Sequence, residues 1–335
     1  MLHWDKDSVQ RKHSNRTEST KSFKTARVKV LDLRNVHQNF WNVWTGGKHG
    51  IHSAETGSEK QVAKRIHRYA LRWRMKVVTD LSLSFPLTEY QTCLLQWAQN
   101  RKDSLRLSCL KMKICALPVK TIREILNIFH PNYIEELEIH TDQVLSFLGS
   151  FAPCLGQMRN LIKFRLRQTR SISGSGGLRF AEVKKCTAKF LSHFSKLNCL
   201  QHLSMHGDFS SGHMKQLFRC LKIPLESLSM IACQLSKGKY GVVSDCLDLN
   251  QLTHLNLSGV VVSPLSTGPL HVLLKRVTAT LKTLELEGCR MKVSQVSALL
   301  PALSQCTQLT KTSFYDNESS MAVLQDILHH TRNLS

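Results

Sequence analysis

Long apolar runs are missing from this sequence, and so is a hydrophobic leader. No stretch approaches the roughly 18 apolar residues that a membrane span requires. The first residues, Met1 to Asp5, also lack the hydrophobic segment of a secretory signal. We therefore expect no membrane association and an intracellular location, with the cytoplasm first and the nucleus as the alternative.

Motifs for metal, phosphate and covalent chemistry are scarce. The 11 cysteines are odd in number and contain no C-x-x-C pair, whereas zinc sites need closely spaced ligands and disulfide frameworks need even counts. The glycine-rich stretch 174–177 lacks the following lysine of a phosphate-binding loop. We expect no metal and no cofactor.

A repeated phrase is the main feature that the sequence does have. The phrase L-x-x-L-x-L, with some substitutions, recurs at steps of 27, 39, 25, 27, 29 and 28 residues. A period in this range is typical of leucine-rich repeats. The copies begin at Ile134, Leu161, Leu200, Leu225, Leu252, Leu281 and Leu309.

The repeat predicts the fold through burial. Alternating apolar residues suit a strand, and helix-spaced leucines such as Leu270, Leu273 and Leu274 follow it. One strand and one helix cannot bury their own apolar faces, so the units must stack. We predict an α/β leucine-rich-repeat solenoid, a horseshoe with a curved parallel sheet on its concave face and helices on its convex face. Cys233 and Cys289, just after a strand phrase, should be buried thiol donors at the turn.

The chain divides into three predicted parts. Residues 1–24 are a disordered basic tail, 25–130 are degenerate repeats or an amino-terminal cap, and 131–335 are regular repeats. The cap should hold helices at 60–74 and 88–99, and the one long step contains a flexible insertion, 171–177. The sequence ends where the next strand phrase would begin, so we expect a truncated carboxyl end.

Basic residues outnumber acidic ones, 46 Lys and Arg to 24 Asp and Glu, giving a formal charge of +22. The excess is concentrated in residues 1–130, which hold 24 bases and 10 acids. The stretch 60–76 would form a helix with one cationic side. It is either a solvated cap helix or a contact for a polyanion, because a charge run alone does not specify a ligand.

The candidate binding surface is the concave sheet face, where the third, fifth and seventh positions of each phrase point away from the core. These positions carry four acids and four bases. The candidate partner-binding residues are Glu136, Glu138, His140, Lys163, Arg165, Arg167, His202, His206, His254, Asn256, Glu285, Glu287, Lys311 and Tyr315.

Two interpretations of this surface stay open. The acids Glu136 and Glu138 can simply pair with Lys163 and Arg165 on the next strand, contributing little where exposed. Alternatively, acidic, basic and polar zones form a protein-binding face whose charge order sets specificity. A formally neutral face argues against nucleic-acid binding, since affinity for phosphates comes from Lys and Arg side chains that are not already paired with acids.

Catalysis is not expected, and we predict that the protein is not an enzyme. His202 and His206 would lie roughly 13 Å apart on one strand, too far to share a metal. Glu285 and Glu287 would be separated by roughly 6.6 Å, but no enclosing cleft or third catalytic residue accompanies them.

Several segments contain residues that the general leucine-rich-repeat pattern does not specify. These segments resemble the PRAME family, including its oogenesin-like germline members. They are VLDLRNVHQNFWNVW at 30–44, LLQWAQNRKDSLRLSCLKMK at 94–113, FAPCLGQMRNLIKFR at 151–165, LTHLNLSGV at 252–260 and LLPALSQCTQLTKTSFYDN at 299–317. The resemblance runs in order from about residue 28 to the end. The family's amino-terminal elongin-binding segment has no match in residues 1–27.

The resemblance implies a function that periodicity does not. It implies a substrate-recognition adaptor of a cullin-2 ubiquitin ligase, recruited through elongin B and elongin C, acting on an unidentified substrate and regulating transcription, differentiation, proliferation or apoptosis. The alternatives are a leucine-rich-repeat scaffold or transcriptional regulator without ligase assembly, and a basic polyanion-binding protein.

Overall fold

The computed structural model describes residues 30–34, 75–142, 144–169, 190, 192–207, 209, 217–221, 223–233, 250–261, 267–318 and 325. The predicted tail 1–24, the helix 60–74 and the insertion 171–177 lie outside these residues. Within the described ranges, no helix combines the length and apolarity needed to cross a bilayer.

Ten strands of the described chain form one parallel sheet, and their order in the sheet follows their order in the sequence. They are β1 (Val30–Asp32), β2 (Lys76–Ser84), β3 (Arg106–Cys115), β4 (Glu136–Thr141), β5 (Lys163–Gln168), β6 (His202–His206), β7 (Ser227–Ile231), β8 (His254–Asn256), β9 (Thr283–Glu285) and β10 (Lys311–Ser313). Strands β4 to β10 each begin at the third position of a repeat phrase, so the phrases are confirmed as strands.

Register between strands stacks the apolar residues into rows. The fourth position of each phrase from β4 to β9 is paired with the same position of the next strand and is at most 1% exposed. This row contains Leu137, Phe164, Leu203, Leu228, Leu255 and Leu284. The apolar residues belong to a single hydrophobic core that extends from Leu33 to Leu309. The protein is therefore an α/β leucine-rich-repeat solenoid, as predicted.

Helices follow the strands. They are α1 (Glu89–Gln99), α2 (Val119–Leu126), α3 (Val144–Leu155), α4 (Thr267–Arg276) and α5 (Val293–Leu303), with short 3-10 segments at Pro131–Tyr133 and His193–Lys196. The predicted helix at 88–99 is confirmed, with Thr88 as its N-cap in a capping box with Gln91. Leu270, Leu273 and Leu274 of α4 are fully buried, as the helical spacing predicts.

A tight turn reverses the chain after many of the strands. Its eighth repeat position adopts a left-handed backbone at Gly259 (φ 71°) and Gly288 (φ 61°), and even at Ala232 (φ 53°). The next residue in two repeats is a cysteine. The Cys289 thiol donates to the Leu257 carbonyl at 3.3 Å, and Cys233 makes longer contacts of the same kind. The prediction of buried thiol donors at the turn is confirmed.

Candidate functional site

The concave face presents its side chains in three straight rows because the strands are in register. The third-position row runs Lys111, Glu136, Lys163, His202, Ser227, His254, Thr283, Lys311. The fifth-position row runs Lys113, Glu138, Arg165, Ser204, Ser229, Asn256, Glu285, Ser313. The seventh-position row runs Cys115, His140, Arg167, His206, Ile231.

Acidic side chains on β4 lie between basic strands on both sides. Glu136 pairs with Lys163 at 3.6 Å, and Glu138 pairs with Arg165 at 3.8 Å, as the cross-strand interpretation predicts. On the other side Lys111 approaches Glu136 to 3.3 Å and Lys113 approaches Glu138 to 3.0 Å. The acids are therefore shared by two strands, with the shorter contacts on the β3 side.

Lys111 and Lys113 lie on the concave face but are absent from the residues predicted from the sequence, because the regular repeats were predicted to begin only at 131. In the structure β3 pairs Thr79 with Cys109 and then Leu81 with Met112, so β3 carries one extra residue at a bulge. Beyond the bulge the alternation restarts and exposes both lysines. The signal that could have found them is the Met-Lys-Ile alternation at 112–114.

Glu138 is the most connected carboxylate of this surface. Besides Lys113, its Oε1 lies 2.6 Å from Nε2 of His140, and its side chain is 28% exposed. Partial burial would raise its pKa, but hydrogen bonds with Lys113 and His140 outweigh burial and lower the pKa of the carboxyl below its ordinary value. Glu138 is thus held in its charged form by the side chains beside it.

The central zone of the concave face lies on β5, β6 and β7. It has basic side chains on β5 and neutral side chains on β6 and β7. Arg165 and Arg167 are exposed on β5, and His202, His206 and Ile231 are half-buried on the two strands beyond. Burial lowers the pKa of both histidines, and for His206 the nearby Arg167 and His140 lower it further. Both imidazoles are therefore mainly neutral hydrogen-bonding groups at neutral pH.

The carboxyl-terminal zone is a hydrogen-bonded polar network. Glu285 accepts from Asn256 and pairs with Lys311 at 2.8 Å, while Ser313 donates to Glu287 at 2.7 Å. Tyr315, just beyond β10, is 79% exposed. The structure therefore brings Asn256, Glu285 and Lys311 together, whereas Glu287 is held by a hydroxyl.

Histidine positions follow the register. His254 lies on β8, two strands from His202, and its Nδ1 is 2.7 Å from the Thr283 hydroxyl. Among the residues that the structure describes, no group of three or more His, Cys, Asp or Glu side chains is placed to hold a metal ion. The described histidines of this face are arranged as separate polar contacts.

These observations define the class of the protein, a leucine-rich-repeat solenoid with a charge-patterned concave sheet. The sequence comparisons define its family. The model of the PRAME C-terminal domain matches residues 75–335, and the chain belongs to the PRAME family. The predicted family resemblance is confirmed.

Curated relatives cover most of this chain. It is 40% identical over 311 residues to PRAME family member 12 of Homo sapiens, covering 92% of this chain and 63% of that protein. It is 42% identical over 281 residues to Preferentially expressed antigen in melanoma-like protein 7 of Mus musculus, covering 83% of this chain and 57% of that protein. The chain therefore spans less than two thirds of the length of these relatives.

Solved structures with a similar backbone are more distant. A chain in the crystal structure of the Rad7 and Elc1 complex in yeast aligns with a TM-score of 0.44 at 12% identity, covering 89% of this chain and 86% of that chain. The leucine-rich repeat-containing protein LegL7 from Legionella pneumophila aligns with a TM-score of 0.36 at 18% identity, covering 77% of this chain and 90% of that chain.

Proposed function

We propose that this protein is a non-enzymatic substrate-recognition adaptor of a cullin-2 ubiquitin ligase, joined to it through elongin B and elongin C, in the cytoplasm or the nucleus. Family membership and the leucine-rich-repeat fold support its role as a protein-interaction solenoid. The ligase part of the proposal is supported by the PRAME family resemblance alone. The observation that carries the proposal is the concave face, whose side chains stand in register over a buried core.

The distribution of charge supports a protein partner over nucleic acid. Lys111, Lys113, Lys163 and Lys311 each lie within 4 Å of a carboxylate. Counterion release from phosphates is the main source of nucleic-acid affinity. Lysines that are already paired with acids on the sheet surface neutralise few phosphates and therefore release few counterions. Paired and unpaired charges in defined positions instead favour selection among protein surfaces.

Ligase assembly can be tested by co-expression. The chain is produced with elongin B, elongin C and cullin-2, and the complexes are isolated through a tag on the chain and resolved by size-exclusion chromatography. A second form carries the amino-terminal segment of PRAME family member 12 ahead of this chain. Recovery of a stoichiometric complex with either form is the expected result.

The outcome that contradicts the ligase proposal is the failure of both forms to retain elongins and cullin-2. A matched control replaces Glu138 with Lys on the concave face, which should leave elongin retention unchanged because substrate binding and ligase assembly use different surfaces. Loss of elongins from this variant would contradict that separation. A chain that binds partners but never assembles a ligase would be a scaffold.

A further inference from the structure

The central zone of the concave face contains a groove of about 420 Å³, which we call the central groove. Its floor is formed by the exposed faces of β5, β6 and β7, and His140 and Glu138 lie at its β4 edge. At a strand spacing of about 4.8 Å, three adjacent strands give a floor roughly 10 Å across. This width suits a single extended polypeptide.

Two guanidinium groups in the groove have weak or no partners among the described residues. Arg165 is 64% exposed and reaches a carboxylate, Glu138, at 3.8 Å, and that carboxylate already has closer contacts with Lys113 and His140. Arg167 is exposed and forms no ion pair within the described chain. The groove therefore offers a ligand one guanidinium that is weakly paired, that of Arg165, and one without an ion pair among the described residues, that of Arg167.

The β6 and β7 side of the groove offers neutral polar groups. The described concave positions of β6 and β7 are His202, Ser204, His206, Ser227, Ser229 and Ile231, none of which is acidic. Among the described residues on this side, the carboxylate of Glu226 lies 3.9 Å from His202 at the amino-terminal end of the strands. Hydroxyl and imidazole groups here can hydrogen-bond a ligand backbone, and the half-buried Ile231 offers an apolar contact.

The spacing of the arginines defines the ligand chemistry. Arg165 and Arg167 are two residues apart on one strand, which places them roughly 6.6 Å apart, the same distance as alternate side chains of an extended peptide. Guanidinium groups bind carboxylates through paired hydrogen bonds. A nucleic acid fits less well, because the next base along β5, Lys163, is already paired with Glu136 at 3.6 Å.

We propose that the central groove binds an extended peptide segment rich in Asp and Glu, with alternate carboxylates on Arg165 and Arg167. The inference rests on the proposed function in that this segment would be the recognition element of a substrate. It specifies which part of the concave face selects the partner and which chemistry is selected.

The test measures direct binding of a defined probe to the full chain. The probe is a fluorescein-labelled peptide in which glutamate alternates with serine, and its control replaces each glutamate with glutamine. Fluorescence anisotropy should show binding of the glutamate peptide and none of the glutamine peptide. The Arg165→Glu/Arg167→Glu variant should bind the glutamate peptide at least tenfold more weakly, a loss of about 1.4 kcal/mol.

A convex-side variant controls for net charge. Lys275 and Arg276 are exposed near the end of α4, and Lys275→Glu/Arg276→Glu changes the total charge by the same amount as the groove variant. This control should bind the glutamate peptide within twofold of the unaltered chain. An Arg165→Gln/Arg167→Gln variant introduces no repulsion and should also weaken binding of the glutamate peptide. It keeps the test decisive if the charge reversal impairs folding.

Several results would overturn the inference. They are absence of binding to the glutamate peptide, equal losses in the groove and convex variants, full affinity in the groove variants, or tighter binding of single-stranded DNA at the same arginines. Elongin and cullin-2 retention is measured separately. Peptide binding without ligase assembly would therefore remove the ligase proposal alone, and assembly without peptide binding would remove this inference alone.

Discussion

Glu138 is expected to stabilise the concave face mainly through Lys113, and a double-mutant cycle can measure this. Exposed ion pairs contribute about 0.2–1 kcal/mol, and this pair should lie at the upper end because the contact is 3.0 Å and the Glu138 side chain is 28% exposed. We predict a coupling free energy of about 1 kcal/mol between Glu138→Gln and Lys113→Met.

The matched control is the neighbouring pair of Glu136 and Lys163. Their contact is longer, 3.6 Å, and both side chains are more exposed than Glu138, at 35% and 40%. Their coupling should be below about 0.5 kcal/mol. Free energies of unfolding come from urea titrations at pH 7 of the single and double variants.

Acid titration tests the contribution of the Glu138 carboxylate to stability. Its pKa is lower in the folded chain than in the unfolded chain, so the unfolded state takes up a proton first as pH falls. The stabilisation is present at pH values above the ordinary glutamate range and is lost as pH falls through the folded value. A coupling near zero, or a larger coupling in the Glu136 pair, would refute the reasoning.

Three further predictions concern the core, a cysteine and a histidine. Leu255→Ala, at a position 1% exposed in the central core row, should cost about 2–5 kcal/mol in urea unfolding, while Val272→Ala, at a position 50% exposed, should change stability by less than about 0.5 kcal/mol; equal costs would argue against the stacked core. Burial raises the pKa of Cys289 to about 11, so iodoacetamide at pH 8 should label exposed Cys199 far faster than Cys289 in mass-spectrometric peptide mapping, and equal rates would contradict the buried turn. Because burial and nearby basic groups lower the pKa of His206, its NMR titration midpoint should fall below 6.5, and a higher midpoint would contradict its position in the groove.

The sequence predicted the regular part of the fold because burial repeats with the phrase. Each copy from Ile134 to Leu309 places an apolar residue at the same depth in the core, so the strand start at the third position follows from the pattern alone. The concave residues follow with it, since side chains alternate along a strand.

The amino-terminal part of the surface could not be predicted in the same way. In β3, Cys109 occupies the first apolar position of the repeat phrase, and a bulge adds one residue after it. The alternation of buried and exposed side chains therefore changes phase between Leu107 and Met112. A one-residue shift moves a side chain to the opposite face, which is why Lys113 was missed. The relative strength of the ion pairs around Glu138 also depends on side-chain distances that a sequence does not contain.

Site-specific photo-crosslinking would test the central claim, that partners bind the concave face. A benzophenone amino acid is placed at Ser229, which lines the central groove, or at Lys275 on the convex side. The full chain is expressed in cells, and covalent adducts are separated after irradiation and identified by mass spectrometry. We predict discrete protein adducts from position 229 that the Arg165→Glu change suppresses, with none shared by position 275. The same adducts from position 275, or adducts from position 275 alone, would contradict the account.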